Sequence, residues 1–197
     1  MRARAYHHGN LRTALLEQAE RSVREHGVER LSLRELARQT GVSHGAPRRH
    51  FSDRQALLDA LAEAGFARLG AELRSAVEGA GEQFEPRLLA TAGAYVRFAT
   101  RDAALLELMF AGKHKQGSPA LHEAGERAFA VIRDLIEQGQ AEGVLDSGEP
   151  ERVGLVLFAT MQGIAALVTG GIVDVAHVEG LVADATTHFL PASRAAA

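Results

Sequence analysis

Apolar residues recur at intervals of three and four along almost the whole chain, and no stretch alternates with period two for long. That spacing predicts helices throughout, an all-α protein. Leu11, Ala14, Leu15, Ala19 and Val23 form one stripe of a first helix over 10–26, with Gly27 placed for a left-handed C-terminal cap. Ser32-Leu33-Arg34-Glu35 has the form of a capping box and opens a second helix that ends at Thr40-Gly41. Ser43 is a good N-cap for a short third helix over 44–51, where Pro47 forfeits only the hydrogen bond to the cap carbonyl. A second capping box, Ser52-Asp53-Arg54-Gln55, starts a long fourth helix that Gly79-Ala80-Gly81 breaks. Further helices are expected over 86–100, 102–111, 119–142, 150–171 and 175–190, about nine in all, with the tail from Pro191 frayed.

Residues 32–51 then read as a helix-turn-helix. Leu36 and Ala37 face inward, Gly41 permits the turn, Val42 plugs the corner and Ala46 is small enough for two helices to cross. His44, Gly45, Arg48, Arg49 and His50 are left outward on the second helix, a surface suited to a DNA major groove. Ser43, at that helix's N-terminus, offers backbone N–H groups to a phosphate. Helix, glycine turn and helix also occur in proteins that bind no DNA, and the charge distribution is what favours the nucleic-acid reading. The 197 residues carry a net charge of −3, which taken whole argues against non-specific coating of nucleic acid. Residues 1–54, however, hold 11 Arg and no Lys against 6 Asp and Glu, while the remainder holds 11 basic against 19 acidic residues. No acidic residue lies between Glu35 and Asp53. A basic head on an acidic body implies two parts with different partners, here divided as 1–54 and 55–197.

Five stretches of the head are similar to the DNA-binding region of TetR-family regulators. They are Tyr6-His7-His8-Gly9-Asn10-Leu11-Arg12, Leu33-Arg34-Glu35-Leu36-Ala37, Gly41-Val42-Ser43-His44-Gly45-Ala46-Pro47, Arg49-His50-Phe51 and Arg54-Gln55-Ala56-Leu57-Leu58. The resemblance implies that Arg34 meets the phosphate backbone, that His44 and Gly45 approach base edges, and that His50 reaches a phosphate. Arg54 stands where the family usually keeps a phosphate-binding Lys. Arg48 departs from the pattern, standing where the family commonly has a Tyr that bonds the DNA backbone; it is suited either to phosphate or to guanine. Arg2 and Arg4 are read either as a minor-groove arm or as a solvated tail.

The acidic remainder resembles the C-terminal half of a subgroup of the same family, in Asp102 to Phe110, in Gly139 to Leu145 and in Gly163. That subgroup often has Trp-His-Gly where this chain has Met161-Gln162-Gly163. The likeness implies a helical domain that dimerises through its last two long helices and encloses a ligand cavity. The residues agree on dimerisation: the helix over 150–171 is apolar nearly all round, and 175–190 carries a stripe of Val178, Leu181, Val182, Ala185 and Phe189. A central core helix in a monomer is the alternative. Effector-site candidates are the bulky Phe98, Leu105, Met109, Phe110, Phe129, Phe158 and Met161, with Tyr95, His122 and Gln162 as polar handles. Each aromatic taken singly also fits ordinary core packing.

The expected function is a homodimeric, ligand-responsive repressor that binds a palindromic double-stranded DNA operator and is released by a small-molecule effector. The alternative is a DNA-binding regulator without an effector, its C-terminal part only dimerising. Enzymatic roles find no support. There is no Cys, no His-x-x-x-His or Glu-x-x-His pair, no Gly-x-Ser-x-Gly elbow and no phosphate loop, so neither metal nor cofactor is expected. The longest apolar stretch, Val153 to Val173, is interrupted by Gly154, Gln162, Gly163, Gly170 and Gly171, and no signal core follows the N-terminus. A cytoplasmic protein with no membrane partner is the expectation.

Overall fold

A computed structural model of the chain describes residues 8–114 and 118–190, and every regular element among them is helical. The α-helices are α1 (His8–His26), α2 (Leu33–Thr40), α3 (Arg54–Gly79), α4 (Phe84–Arg101), α5 (Ala103–His114), α6 (Pro119–Ala141), α7 (Pro150–Thr169) and α8 (Val178–Thr187). Short 3-10 turns occur at Val28–Arg30, Pro47–Arg49 and Val175–His177. The basic arm with Arg2 and Arg4, and the C-terminal tail, lie outside the described residues. Packing divides the chain into two compact units: the described parts of Met1–Gly65 with Ala104–Glu123, and of Phe66–Ala103 with Ala124–Ala197.

In the first unit, α1 buries Leu11, Leu15, Ala19 and Val23 as one stripe, and α2 contributes Leu36 and Ala37. Each large side chain removed from water in this way is worth roughly 1.5–3 kcal/mol, so short helices hold by packing more than by propensity. The Ser32 hydroxyl accepts from the Glu35 N–H at 3.2 Å, half of the expected capping box. The Glu35 carboxylate does not reach back; it turns to Arg38 and to Gln39 (2.9 Å to its side chain). Gly41 closes α2 at φ 68°, ψ 26°, the left-handed cap that a side chain resists. Gly27 also has positive φ, but its ψ of 167° is extended rather than left-handed helical.

Two further starts differ from expectation. The third helix over 44–51 forms instead as turns and the 3-10 segment Pro47–Arg49. Pro47 has no N–H to return to the Ser43 carbonyl, which accepts from Ala46 N at 2.9 Å, and the segment tightens to three-residue spacing. The fourth expected helix, α3, is capped one residue later than the pattern suggests. Asp53, not Ser52, accepts from the Ala56 N–H at 2.9 Å, a carboxylate being the stronger acceptor there. Ser118 does cap α6, accepting from the Leu121 N–H at 3.1 Å.

The second unit is organised around α4, which packs against α7 and α8. Leu88, Ala92, Tyr95, Val96, Phe98 and Ala99 of α4 meet a core completed by Leu157, Met161, Ile164, Ala165, Val168, Val178 and Val182. The opposite face of α7 is bare: Leu155 is 63% and Val156 53% exposed, with Ala159, Ala166 and Leu167 also exposed. Among the described residues α7 is the one helix long and apolar enough to cross a membrane by length and composition. Its glycines and Gln162 interrupt the apolar run without adding charge, which is why residue counting alone understated its hydropathy.

Close packing near the end of α6 depends on Gly139. A Cβ there would overlap the buried Phe84 ring and come within 3.0 Å of Leu145 Cδ1. Gly139→Ala is expected to destabilise the chain by about 1–3 kcal/mol through overpacking, outweighing the helix-propensity gain of about 1 kcal/mol. Thermal unfolding of the two proteins checks this, and an unchanged or raised Tm would show that the Phe84 ring gives way freely.

Candidate nucleic-acid interface and effector cleft

The chain reverses between α2 and α3 over Gly41 to Phe51, and its outward surface is set by what that reversal buries. Pro47 and Phe51 point into the core, Val42 and Ala46 are half-buried, and Ser43, His44, Gly45, Arg48 and Arg49 are exposed. A Cβ at Gly45 would meet nothing within 4 Å, so its lack of a side chain leaves the backbone open to close approach. His50 is half-buried beside Phe51, with ring centroids 6.5 Å apart.

The arginines of this unit fall into two groups. Arg38 bonds Glu35, holding that carboxyl below its ordinary pKa. Arg12 lies over the Phe51 ring at 5.6 Å. Arg54 donates its Nε to the Leu31 carbonyl at 3.0 Å and an Nη to the Val28 carbonyl at 2.7 Å. It thereby ties the start of α3 to the segment before α2, using two of its five donors. By contrast, Arg34, Arg48 and Arg49 are exposed and make no hydrogen bond or ion pair with another described residue. These unspent guanidiniums, Arg48 and Arg49 on the turn and Arg34 at the start of α2, can neutralise phosphates or donate bidentately to guanine.

The second unit contains a cleft between α4, α6 and α7, lined by Thr91, Ala92, Tyr95, Ile132, Leu135, Leu157, Phe158 and Met161. Its cavity volume is about 10 Å³, room for roughly one water. Tyr95 Oη lies 2.6 Å from Gln162 Oε1, bridging α4 and α7. Burial pushes the Tyr95 phenol above its ordinary pKa, so it stays protonated. Tyr95, Phe158 and Phe129 form an edge-to-face series, with centroids 5.5 and 5.4 Å apart.

The chain matches two family models. Residues 15–61 match the model of the bacterial regulatory proteins of the tetR family, and residues 88–189 match the model described as tetracyclin repressor-like, C-terminal domain. The chain belongs to the TetR family. A protein of unknown function from Rhodococcus sp. RHA1 is 47% identical, with a TM-score of 0.88 over 95% of this chain and 97% of that one. Two more distant TetR-like folds are the TetR-family regulator PfmR from Thermus thermophilus and the fatty acid degradation regulator FadR from Bacillus halodurans. PfmR is 20% identical, with a TM-score of 0.69 over 89% of this chain and 96% of that one. FadR is 15% identical, with a TM-score of 0.72 over 91% of this chain and 98% of that one. No protein of curated function matches the chain in sequence. TetR membership implies a dimerising, DNA-binding regulator.

The effector candidates of this TetR-family chain divide by packing. Tyr95, Phe158 and Met161 line the cleft, Gln162 bonds Tyr95 and Phe129 stacks behind Phe158. Phe98 has a different task. It is fully buried with the guanidiniums of Arg68 and Arg101 over its ring, at 5.2 and 5.5 Å from the centroid. The same two arginines hold the buried Asp102 carboxylate at 3.0 and 2.8 Å. Leu105, Met109, Phe110 and His122 belong to the first unit, where Leu105 and Met109 are buried, Phe110 half-buried and His122 exposed. Residue size singles out the aromatics. It misses Thr91, Ala92, Ile132, Leu135 and Leu157, although 91, 92 and 95 share one helical face, as do 157, 158 and 161. Among the described residues no group of His, Cys, Asp and Glu could hold a metal ion.

Two measurements follow from this geometry. Because the folded phenol of Tyr95 ionises above the ordinary value of 10.0, the unfolded chain loses that proton first as pH rises. Stability should therefore fall progressively above pH 10, and denaturant midpoints of Tyr95→Phe should lack that component. Arg54→Ala should lower stability by about 1–3 kcal/mol, since it leaves two carbonyls without their charged donor. An unaltered Tm in that variant would mean that water replaces the donor at no cost.

Proposed function

We propose that the chain is a homodimeric transcriptional repressor whose paired helix-turn-helix segments bind a palindromic double-stranded DNA operator and whose C-terminal part responds to a small-molecule effector. The observation that carries the DNA reading is the set of exposed, unspent arginines, Arg34 at the start of α2 and Arg48 and Arg49 on the turn that also exposes Ser43, His44 and Gly45. Arg34 and His50 are assigned to phosphates, and His44 and Gly45 to base edges. Arg48 is assigned to guanine or phosphate. Arg54 serves the fold first, and its remaining donors are available to the backbone of DNA. Residues 1–54 are the reading domain, and 55–197 the sensing and dimerising one.

Dimerisation is supported by the bare apolar face of α7. Gly163 sits on that face, where an added Cβ would meet nothing within 4 Å, whereas Gly154 is explained by Ile136 at 3.3 Å within the same chain. A second copy laying its own α7 and α8 against this face would cover it and set two recognition segments about one DNA turn apart. We read the C-terminal part as that of the subgroup with Trp-His-Gly, from which Met161 and Gln162 depart while Gly163 is kept. An effector acts by favouring a dimer whose recognition segments are spaced wrongly for the operator.

A specific observation favours a second reading. A cavity that holds one water is closer to a filled core than to an open ligand site, as in a regulator whose C-terminal part only dimerises. Both readings require DNA binding, and a shift assay with the DNA upstream of the chain's own gene tests it. Failure to retard any palindrome at low salt would refute both. Arg34→Ala should lower the slope of log affinity against log salt by about 1, whereas Arg38→Ala, whose partner is Glu35, should leave it nearly unchanged. Gly163→Leu should preserve the helical fold and shift the chain toward monomer in sedimentation; a variant still fully dimeric would remove α7 from the interface.

A further inference from the structure

We infer that Arg54 is a positioning residue for DNA binding. Its guanidinium fastens the exit of the reading turn to the entry of α2, and operator affinity depends on that fastening rather than on the charge alone. The inference rests on the DNA-binding reading above and names a residue that sets the geometry of that site.

The arginines assigned to DNA stand on two short segments. Arg34 lies in the first turn of α2, just after the Ser32 cap, and Arg48 and Arg49 lie in the 3-10 turn that precedes Phe51. The chain between the segments has little regular structure of its own. Ala46 N–H donates to the Ser43 carbonyl at 2.9 Å, Arg49 N–H to Ala46 at 3.2 Å, and the N–H groups of His50 and Phe51 to Pro47 at 3.0 and 2.9 Å. Turns this short have poor hydrogen-bond geometry and do not hold a direction by themselves. Where Arg48 and Arg49 stand relative to Arg34 is therefore set by what anchors the ends of the turn.

At its start the turn continues from α2, with Val42 N–H bonded to the Ala37 carbonyl at 3.0 Å. Beyond its end, Arg54 opens α3 and reaches back. Its Nε donates to the Leu31 carbonyl at 3.0 Å and an Nη to the Val28 carbonyl at 2.7 Å. Those acceptors bracket the 3-10 turn Val28–Arg30, and Leu31 directly precedes the cap of α2. The two bonds span 23 and 26 positions. They close a ring of chain that contains all of α2 and the whole reading turn. Freedom removed by closing that ring does not have to be removed when DNA binds.

The chemistry of the side chain suits the task. A guanidinium is a planar fork that can hold two carbonyls in one geometry, whereas an ammonium is a point charge on a flexible stem. The neighbouring Asp53 does not compete for it, since that carboxylate accepts from the Ala56 N–H at 2.9 Å and from the Ser52 hydroxyl at 3.3 Å. Lysine keeps the charge of Arg54 and loses the fork, so one substitution separates the two roles.

The experiment compares the full-length wild type with Arg54→Lys and Arg54→Gln by shift titration on the operator. It is run at a temperature where circular dichroism shows each protein fully folded, so that lost stability does not register as lost affinity. Both variants should bind about ten-fold more weakly than wild type. Wild-type affinity in Arg54→Lys beside weak binding by Arg54→Gln would assign the position to charge and overturn the inference. Wild-type affinity in both would overturn it as well. Hydrogen exchange without DNA provides a second readout. The amides of Ala46, Arg49, His50 and Phe51 should exchange faster in Arg54→Lys, while those of α1 keep their rates. Unchanged turn amides, or equal acceleration in α1, would reduce Arg54 to a general contributor to stability. If the wild type retards no DNA, the DNA-binding reading fails, and exchange alone decides whether Arg54 holds the turn.

Discussion

A helix with apolar side chains around its whole circumference cannot be covered from one side, and α7 is such a helix. Leu157, Met161, Ile164, Ala165 and Val168 are buried within the chain, while Leu155, Val156, Ala159, Ala166 and Leu167 are not. An exposed apolar strip on a helix of this length is a strong demand for a second surface. In a dimerising family the natural cover is a second copy, whose two-fold axis would pair the basic segments. The proposed palindromic operator is then a consequence of the hydrophobic effect at the other end of the chain, transmitted by symmetry.

The same helix would link the proposed dimerisation to the proposed sensing. Met161 and Phe158 line the cleft and Gln162 bonds Tyr95, while Gly163 and Ala159 lie on the bare face. A ligand bound against Met161 would therefore act on the element proposed to join the two copies. A ligand shifts such an equilibrium only through differential affinity for the form that binds DNA and the form that does not.

Charge is arranged with comparable economy. Counting residues makes every arginine of the basic head equivalent, but folding does not. Arg38 is neutralised by a neighbour one helical turn away, Arg12 lies on a ring and Arg54 is a strut between backbone carbonyls. Arg68 and Arg101 in the acidic body are likewise structural, flanking Phe98 and neutralising a buried Asp102. Among the arginines left without such a partner, Arg48 and Arg49 lie on the open turn and Arg34 at the start of α2.

Local chemistry determined much of this protein without reference to its neighbours. Helical periodicity, the Ser32 and Ser118 caps and the Gly41 left-handed turn each depend on residues within four positions of one another, so all were legible along the chain. So was the buried face of the first unit, because one stripe of α1 and the inward pair of α2 follow from spacing alone. Competition between partners was not legible. Whether Glu35 would reach back to its cap or turn to Arg38, whether Ser52 or Asp53 would cap α3, and how far Pro47 would tighten its segment were decided by alternatives of similar strength a few ångströms apart. Residues distant in sequence were harder still. Phe98 has the bulk of a pocket residue, yet Arg68 and Arg101 lie over its ring, and the pairing of Tyr95 with Gln162 joins positions 67 apart. The sequence by itself determined the helices, the split charge and the family. Only the tertiary structure decided which arginines remain available and which aromatics share a wall, because those outcomes depend on contacts between elements that no local pattern encodes.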